Sequence, residues 1–454
     1  MLISYDKRAL AGVTAAVVTT AAFAKIFVPF YLIGSTTIFA VTGALGAVLI
    51  AISWRPVCAM ASKVSDILLL VGAFYIFVIA NFLFLSRPAV PMTHLFGILI
   101  FHALFMIFGF AAARALKAVM LLFLAAATFY LILIVQHTIR FGDVMRGGAL
   151  NDILGVGDPN IAIAFHQPIG LMLALATLAA FGLGSNRIRL IVAGIALPLV
   201  LLFLFHIAAR TALVALACSL TFLVGSFLWI RSKSFTVLGA IALVLTITVT
   251  ATLFYQRALQ DKNVDPKAPD AISRTIREIQ DPDPGFRLPI WTKTWQRILA
   301  EPDSLVFGRG IGMYPVNEGV GAPDWVLSKA AASKHYPHNV HLEMLYETGI
   351  VGLLLFSIVT LFPLGVALTY WHRLSLVEKC AVSMYVFQLA GSELSGAFAF
   401  QFLNWFFFAL TVGIVAMKRM EGAAAAGRPS GNRAEIEGAT RLSSGTASAA
   451  NTPV

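Results

Sequence analysis

The chain has 454 residues, of which 59% are hydrophobic and only 12% are charged, and its mean hydropathy is +0.85. Soluble domains carry roughly 25% charged residues, so this composition excludes a cytosolic enzyme, a disordered chain and a secreted disulfide scaffold. The net charge of +11 comes largely from positive residues that stand between apolar segments, which is typical of an oriented membrane protein and not of one that binds nucleic acid. We therefore expect an all-α polytopic membrane protein.

Long apolar segments recur along the chain, and a helix needs about 20 such residues to cross the bilayer core. Twelve segments are long enough, so we expect about 12 transmembrane helices. Two of them are weak, because the first contains Lys25 and the eleventh ends in Ser392 and Glu393, and a count of ten or eleven stays open. The approximate bounds are 9–28, 32–53, 65–85, 94–113, 117–136, 160–183, 188–207, 210–230, 234–254, 347–370, 377–395 and 399–417.

The first segment also has features of a signal peptide. Lys7 and Arg8 precede its apolar residues, and Ala22-Phe23-Ala24 resembles a cleavage site. We interpret it as a retained helix.

Lysine and arginine residues are distributed unevenly between the short connecting segments. With the N-terminus inside, the short inner segments carry fourteen of them, whereas the short outer segments carry four, namely Arg87, Arg140, Arg146 and Arg210. Because cytoplasmic segments are rich in Lys and Arg, both termini are predicted to be cytoplasmic.

This orientation divides the chain into four regions. Residues 1–254 hold helices 1–9, residues 255–345 form one large outer loop, and residues 346–418 hold helices 10–12. The remainder, 419–454, is rich in Ala, Gly and Ser and is predicted to be a disordered cytoplasmic tail.

The outer loop is long enough to have a function of its own. It contains eleven Lys and Arg and eleven Asp and Glu residues, so it is neutral overall. Apolar residues at helical spacing over Leu288–Leu299 predict a short amphipathic helix, whose Trp291 and Trp295 suit a membrane interface. The loop is therefore predicted to contain short helices and the residues of an active site.

Several polar residues are predicted to lie on this outer face. Arg210 and Arg287 are candidate anion ligands, because an arginine at the edge of a membrane is costly and usually has a reason. The alternative for Arg210 is a snorkelling side chain, whose guanidinium extends from the membrane edge into water. The alternative for Arg287 is a salt bridge to a loop aspartate. Weaker candidates for substrate binding are Arg140, Arg146, Asn160 and Arg309, the last in the glycine-rich turn Gly308–Gly312.

His338 lies directly before the tenth helix, with His335 and His341 nearby. No His-Glu-x-x-His motif is present in this group, so no metal is expected. Pro337 disfavours helix in the residue before it, so His338 is expected near a helix start, where backbone amides disfavour a protonated imidazole. A structural histidine is one interpretation of His338, and a neutral imidazole that takes part in the chemistry is the other.

A spaced motif begins at this histidine. His338-Asn339, nine residues, Gly349, two residues and Gly352 match the signature His-[Asn/Ser/Gln], nine of any kind, Gly, two of any kind, [Gly/Thr/Tyr]. The chain thereby resembles the O-antigen ligase family, within the wider superfamily of O-antigen ligases and polymerases. Further similarities, in the same order along the chain, are Gly157-Asp158-Pro159-Asn160, Ala209-Arg210-Thr211-Ala212, Arg287 with Trp291, and Gly308 with Gly310.

The resemblance implies an integral-membrane glycosyltransferase of the C-type fold in the bacterial inner membrane, with a periplasmic active site. The donor would be a glycan on undecaprenyl diphosphate, and the acceptor would be a sugar hydroxyl of lipid A–core. Transfer would be inverting and independent of metal, nucleotide or any other cofactor. His338 would be the base, Arg210 and Arg287 would be catalytic ligands of the diphosphate, and Asn339 would join the substrate-binding residues.

Three other functions stay open. An O-antigen polymerase would use the same donor to extend a second lipid-linked glycan, and a protein O-oligosaccharyltransferase would transfer the glycan to Ser or Thr. A transporter or flippase for an anionic substrate would show inverted repeats with broken helices, and the sequence has no such correspondence.

Overall fold

The computed structural model describes residues 54–141, 159–206, 209–232, 255–260, 271–280, 287–318 and 336–426, with a few isolated positions besides. Within these ranges the regular structure is helical and contains no β-strand. The helices named below are α1 Trp54–Ser86, α2 Met92–Arg114, α3 Leu116–Phe141, α4 Pro159–Leu183, α5 Asn186–His206, α6 Arg210–Arg231, α7 Ala271–Gln280, α8 Arg287–Ala300, α9 Met313–Glu318, α10 Val340–Thr369, α11 Leu376–Ser395 and α12 Phe402–Ala426.

Six of the described helices are long and apolar enough to cross a membrane: Trp54–Ser86, Met92–Arg114, Asn186–His206, Arg210–Trp229, Val340–Thr369 and Phe402–Ala423. Shorter apolar stretches cover Leu116–Ile132 and Ile169–Leu183. The all-helical, membrane-protein character predicted from the composition is thus confirmed. The count of twelve stays a prediction, because the expected first, second and ninth helices lie almost wholly outside the described residues.

Large apolar side chains cover the outside of the bundle. Leu69, Ile76 and Phe84 of α1 are 73%, 70% and 84% exposed. Soluble monomers rarely expose apolar patches of this extent, whereas lipid accepts them without cost. The surface therefore agrees with a helix bundle that is solvated by lipid.

The central helix is α12, whose apolar stretch is 78% buried inside the bundle. It packs closely on α2, because Gly109 faces the Phe406 backbone and Gly413 faces Ala113. Small residues at such crossings let two helix axes approach. Next to this contact, the Phe398 ring packs edge to face with Phe74 and His102, and the His102 ring also contacts Trp405.

Two predicted boundaries are corrected by the helix ends. Helix α10 begins at Val340 and not near residue 347, so the last residues assigned to the outer loop are helical. Helix α12 continues to Ala426, so residues 419–426 are not a disordered tail. Arg419 forms two hydrogen bonds with the Asp66 carboxylate, at 2.7 and 2.9 Å, and the alanines that follow favour helix.

Helix directions define two ends of the bundle. Helix α10 starts beside His338 and ends at Thr369, and α11 starts at Leu376 and returns. Helix α6 runs antiparallel to α11, because Thr211 lies near Gly391 while Ser219 Oγ donates to the Ser383 carbonyl at 2.6 Å. Arg210, the start of α10 and the end of α11 therefore share one end of the bundle, called the His338 end below.

Candidate active site at the His338 end

The helix predicted in the outer loop is confirmed as α8, Arg287–Ala300. Ile290 and Ile298 are buried on its inner face, whereas Trp295 is 50% exposed. Trp291 Nε1 donates a hydrogen bond of 2.7 Å to the Pro337 carbonyl. The start of α8 is therefore attached directly to the turn that carries His338.

His338 occupies an unusual backbone conformation. Its φ is +56°, and among the described residues it is the only one other than glycine with positive φ. This left-handed region is sterically strained for most residues, although Asn, Asp and His tolerate it better. Helix α10 begins two residues later, at Val340. The turn thus sets His338 just outside the helix, as Pro337 predicted, and fixes the direction of its side chain.

A tyrosine that the sequence analysis did not single out packs against His338. The rings of Tyr336 and His338 lie 4.4 Å apart between centroids, tilted by 54°. Burial and the charge of Glu343 raise the pKa of Tyr336, and the positive charge of Arg287 acts in the opposite direction. Arg287 and Trp291 are four residues apart on one helix and share a face, so Arg287 lies on the side of α8 that contacts the turn.

Asn339 and Glu393 hold the first turn of α10. Asn339 Oδ1 accepts from the Leu342 amide at 2.7 Å, as an N-cap, and its Nδ2 donates to the Glu393 carbonyl at 3.1 Å. His341 Nδ1 lies 2.6 Å from Glu393 Oε1. These contacts give Asn339 a structural role in the helix start, and its assignment to substrate binding stays a prediction. They also explain why a charged residue stands near the end of the apolar helix α11.

Gly349 of the motif allows the backbone of α10 to contact the backbone of the loop. Gly349 breaks α10 with φ +66°, and a Cβ there would collide with the Val306 carbonyl. The turn Gly308–Gly312 lies against this break, with Gly310 N donating to the Glu347 carbonyl at 2.7 Å and Ile350 N donating to the Leu305 carbonyl at 2.8 Å. The glycine-rich turn is thus tied to α10.

Side chains of α1 and α10 also hold the residues in and around the glycine-rich turn. Asn81 of α1 donates to the Phe307 carbonyl at 2.7 Å and accepts from the Ile311 amide at 3.0 Å. The buried carboxylates of Glu343 and Glu347 accept from the amides of Phe398 and Tyr314, both at 3.0 Å. Buried carboxylates need such donors, so these groups fasten the loop to the bundle.

Arg309 is enclosed by contacts within the loop. Its Nε donates to Glu301 Oε2 at 3.0 Å, a second nitrogen donates to the Arg297 carbonyl at 2.6 Å, and the guanidinium lies 4.3 Å from the centre of the Tyr346 ring. The side chain is only 9% exposed. These contacts support a structural role, and its predicted role in substrate binding has no support from them.

Arg210 is the first residue of α6 and contacts a different helix of the loop. Its guanidinium donates to Thr275 Oγ1 of α7 at 3.1 Å. Because Thr211 packs near Gly391 of α11, Arg210 lies beside the end of that helix. The arginine therefore shares the His338 end, where its guanidinium contacts α7.

Two further predicted site residues lie at helix ends, and one more lies outside the described residues. Arg140 lies in the last turn of α3, and Asn160 lies in the first turn of α4. Arg146 and His335 lie outside the described residues. Their assignments therefore stay predictions.

The hydrogen bond from Trp291 permits a direct test of the turn. Trp291→Phe keeps an aromatic ring but removes the donor to the Pro337 carbonyl. A hydrogen bond of this kind contributes about 0.5–1.5 kcal/mol net, so we expect activity to fall roughly 3- to 10-fold while the Tm changes little. Trp295→Phe on the same helix is exposed and should keep full activity. Equal activity in both variants would show that the turn holds its geometry without Trp291.

Comparison with known proteins identifies a family that part of the chain matches. Residues 171–357 match the family model described as O-antigen ligase. No curated protein matches the chain. The matched region runs from α4 into α10 and contains Arg210, Arg287, His338 and both glycines of the motif. The family suggests glycosyl transfer of the O-antigen ligase or polymerase type, and implies a lipid-linked glycan and a lipopolysaccharide acceptor in general. The resemblance inferred from the His338 motif is thereby confirmed: residues 171–357 match the same family, the O-antigen ligases.

Proposed function

We propose that the protein is an O-antigen ligase that transfers a polysaccharide from undecaprenyl diphosphate to a sugar hydroxyl of lipid A–core. It acts in the bacterial inner membrane, with the His338 end on the periplasmic side and both termini in the cytoplasm. His338 is the general base, and Arg210 and Arg287 bind the diphosphate. Arg140, Arg146 and Asn160 are further substrate contacts on the same face.

The observation that carries the proposal is the attachment of α8, which begins at Arg287, to the turn that carries Tyr336 and His338. That turn is held by Trp291 and by the capped start of α10. The strained φ of His338 supports a functional reading, since strained positions cluster at active sites. Their place at the end of an apolar helix suits a donor whose diphosphate lies at the membrane surface.

The chemistry requires one base and charge neutralisation. The acceptor oxygen forms a bond to the anomeric carbon of the donor as the bond from that carbon to the diphosphate oxygen breaks. The electron pair of the broken bond leaves with the diphosphate, where arginine forks stabilise the added charge. The hydroxyl proton passes to His338, whose unperturbed pKa of about 6.5 suits a base near neutral pH. A single displacement of this kind inverts the anomeric centre.

Neighbouring groups suit these roles. The tilted ring of Tyr336 packs against His338 and limits the movement of the imidazole. Because burial raises the pKa of Tyr336, its hydroxyl stays protonated at neutral pH and is able to donate a hydrogen bond.

Deletion of the gene separates this function from its closest alternative. Loss of a ligase leaves lipid A–core uncapped, while long glycans accumulate on the lipid carrier. Loss of a polymerase instead leaves single repeat units on lipid A–core and on the carrier. Gel analysis of lipopolysaccharide together with extraction of the carrier lipids distinguishes the outcomes, and accumulation of single units would contradict the ligase assignment. Glycan missing from protein Ser or Thr would indicate the protein-directed enzyme.

A further inference from the structure

The end of the bundle opposite His338 contains a large cavity. Its volume is ≈ 960 Å³, which is in the range of pockets that bind small molecules. Three cationic residues line it, Arg114 at the end of α2, Lys117 in the first turn of α3 and Arg189 in α5. Apolar side chains, including Leu183, Leu376 and Met417, form the rest of the wall.

The direction of the helices fixes the place of the cavity. It is lined by the first residues of α11, which follow directly after α10 has crossed the bundle from the His338 end. Both α2 and α4 end there, and both carry apolar stretches that lead away from it. The cavity thus lies where helices leave the apolar region, on the face that the positive-inside rule assigns to the cytoplasm.

The positive charges at the cavity are not fully paired with carboxylates of the described residues. Arg189 is engaged, because its Nε donates to the Phe181 carbonyl at 3.2 Å and another nitrogen donates to Asn186 Oδ1 at 2.9 Å. The carboxylate Glu378 is shared between Ser375 and Lys418. In the part of the chain that the structure describes, no carboxylate forms an ion pair with Arg114 or Lys117. The cavity therefore carries a net positive charge.

A ligand for this cavity needs both an anion and an apolar part. Arginine and lysine together bind a phosphate group well, and the apolar wall opens toward a region solvated by lipid. A soluble anion would leave that wall uncovered. Basic pockets between membrane helices on the cytoplasmic side are suited to anionic headgroups. We infer that the cavity between the ends of α2, α3 and α4 and the start of α11 binds the phosphate of an anionic phospholipid.

The test measures how lipids stabilise the full-length protein in detergent. Phosphatidylglycerol, phosphatidylethanolamine with the same acyl chains, and inorganic phosphate are titrated separately while the Tm is followed. We expect phosphatidylglycerol to raise the Tm by more than the zwitterionic lipid. In the double variant Arg114→Ala/Lys117→Ala, the phosphatidylglycerol concentration for half-maximal stabilisation should rise about tenfold or more, since each basic residue near a lipid surface contributes substantially.

A matched control separates this cavity from general surface charge. Arg55→Ala/Lys63→Ala removes two exposed cations that do not line the cavity, and it should respond to phosphatidylglycerol as the unmodified protein does. An equal loss in the control variant, or equal stabilisation by both lipids, would overturn the proposal. Equal stabilisation by inorganic phosphate would assign the cavity to a soluble anion and overturn the lipid assignment.

A second measurement does not depend on the folding of any variant. A phosphatidylglycerol analogue with a photoactivatable acyl chain is crosslinked to the unmodified protein and mapped by mass spectrometry. We expect labelled peptides to include residues 113–118 or 375–378. Labels found only elsewhere on the apolar surface would contradict the site.

Discussion

His338→Ala should abolish detectable glycan transfer in a purified assay while the lipid-linked donor still binds. Removing a general base typically lowers the rate by about 10²–10⁴, and the lost group receives the acceptor proton without holding the diphosphate. We expect the effect to appear in kcat, with little change in donor affinity or in Tm. A donor-binding titration beside the transfer assay checks the separation of the two effects.

Neighbouring histidines provide the controls for this variant. His335→Ala and His341→Ala should be much milder, since His341 contacts Glu393 and has no assigned part in the chemistry. His372→Ala, at the opposite end of the bundle and exposed, should behave as the unmodified protein. Transfer by the unmodified enzyme should survive EDTA, because the proposed mechanism invokes no metal. If His338→Ala transfers glycan at the normal rate, another group is the base and the arginines carry the mechanism.

Local sequence patterns predicted the helical part of this site well. Apolar length identified the helices that flank it, and helical spacing identified α8, although the direct bond of Trp291 to the turn was not foreseen. Pro337 predicted a helix start near His338, because it disfavours helix in the residue before it. These features depend on residues within a few positions of each other, so the local sequence contains the necessary information.

Contacts between distant residues could not be predicted in this way. Asn81 bonds to the glycine-rich turn across 226 and 230 residues, and nothing near Asn81 indicates that partner. Tyr336 was missed because a lone tyrosine before Pro337 has no pattern of its own. Glu393 did give a signal, since a charge near the end of an apolar helix usually has a partner, but its contact with His341 required the fold.

The helix ends were misjudged for a related reason. Hydropathy marks where a segment is apolar enough for lipid, whereas a helix ends where its hydrogen bonds and caps end. Glu343 and Glu347 lower the apolar character of the start of α10, yet both are buried and bonded there. In the same way, the contact of Arg419 with Asp66 extends α12 into a segment that composition alone assigns to the tail.

Arg287→Ala and Arg210→Ala should each lower transfer by about 10²–10³, the usual cost of losing one donor that stabilises developing charge. Because the guanidinium binds two phosphate oxygens in a fixed fork, Arg→Lys should restore little activity at either position. Protein levels should be unchanged, and donor affinity should fall with the rate, in contrast to His338→Ala. Transfer rates and donor titrations for the four variants check these expectations.

Lys293→Ala on α8 is the matched control, since this exposed cation lies beyond the first turn of the helix and should have little effect. Full rescue by lysine at both positions would mean that these residues supply only general positive potential, and the bidentate assignment would then be wrong.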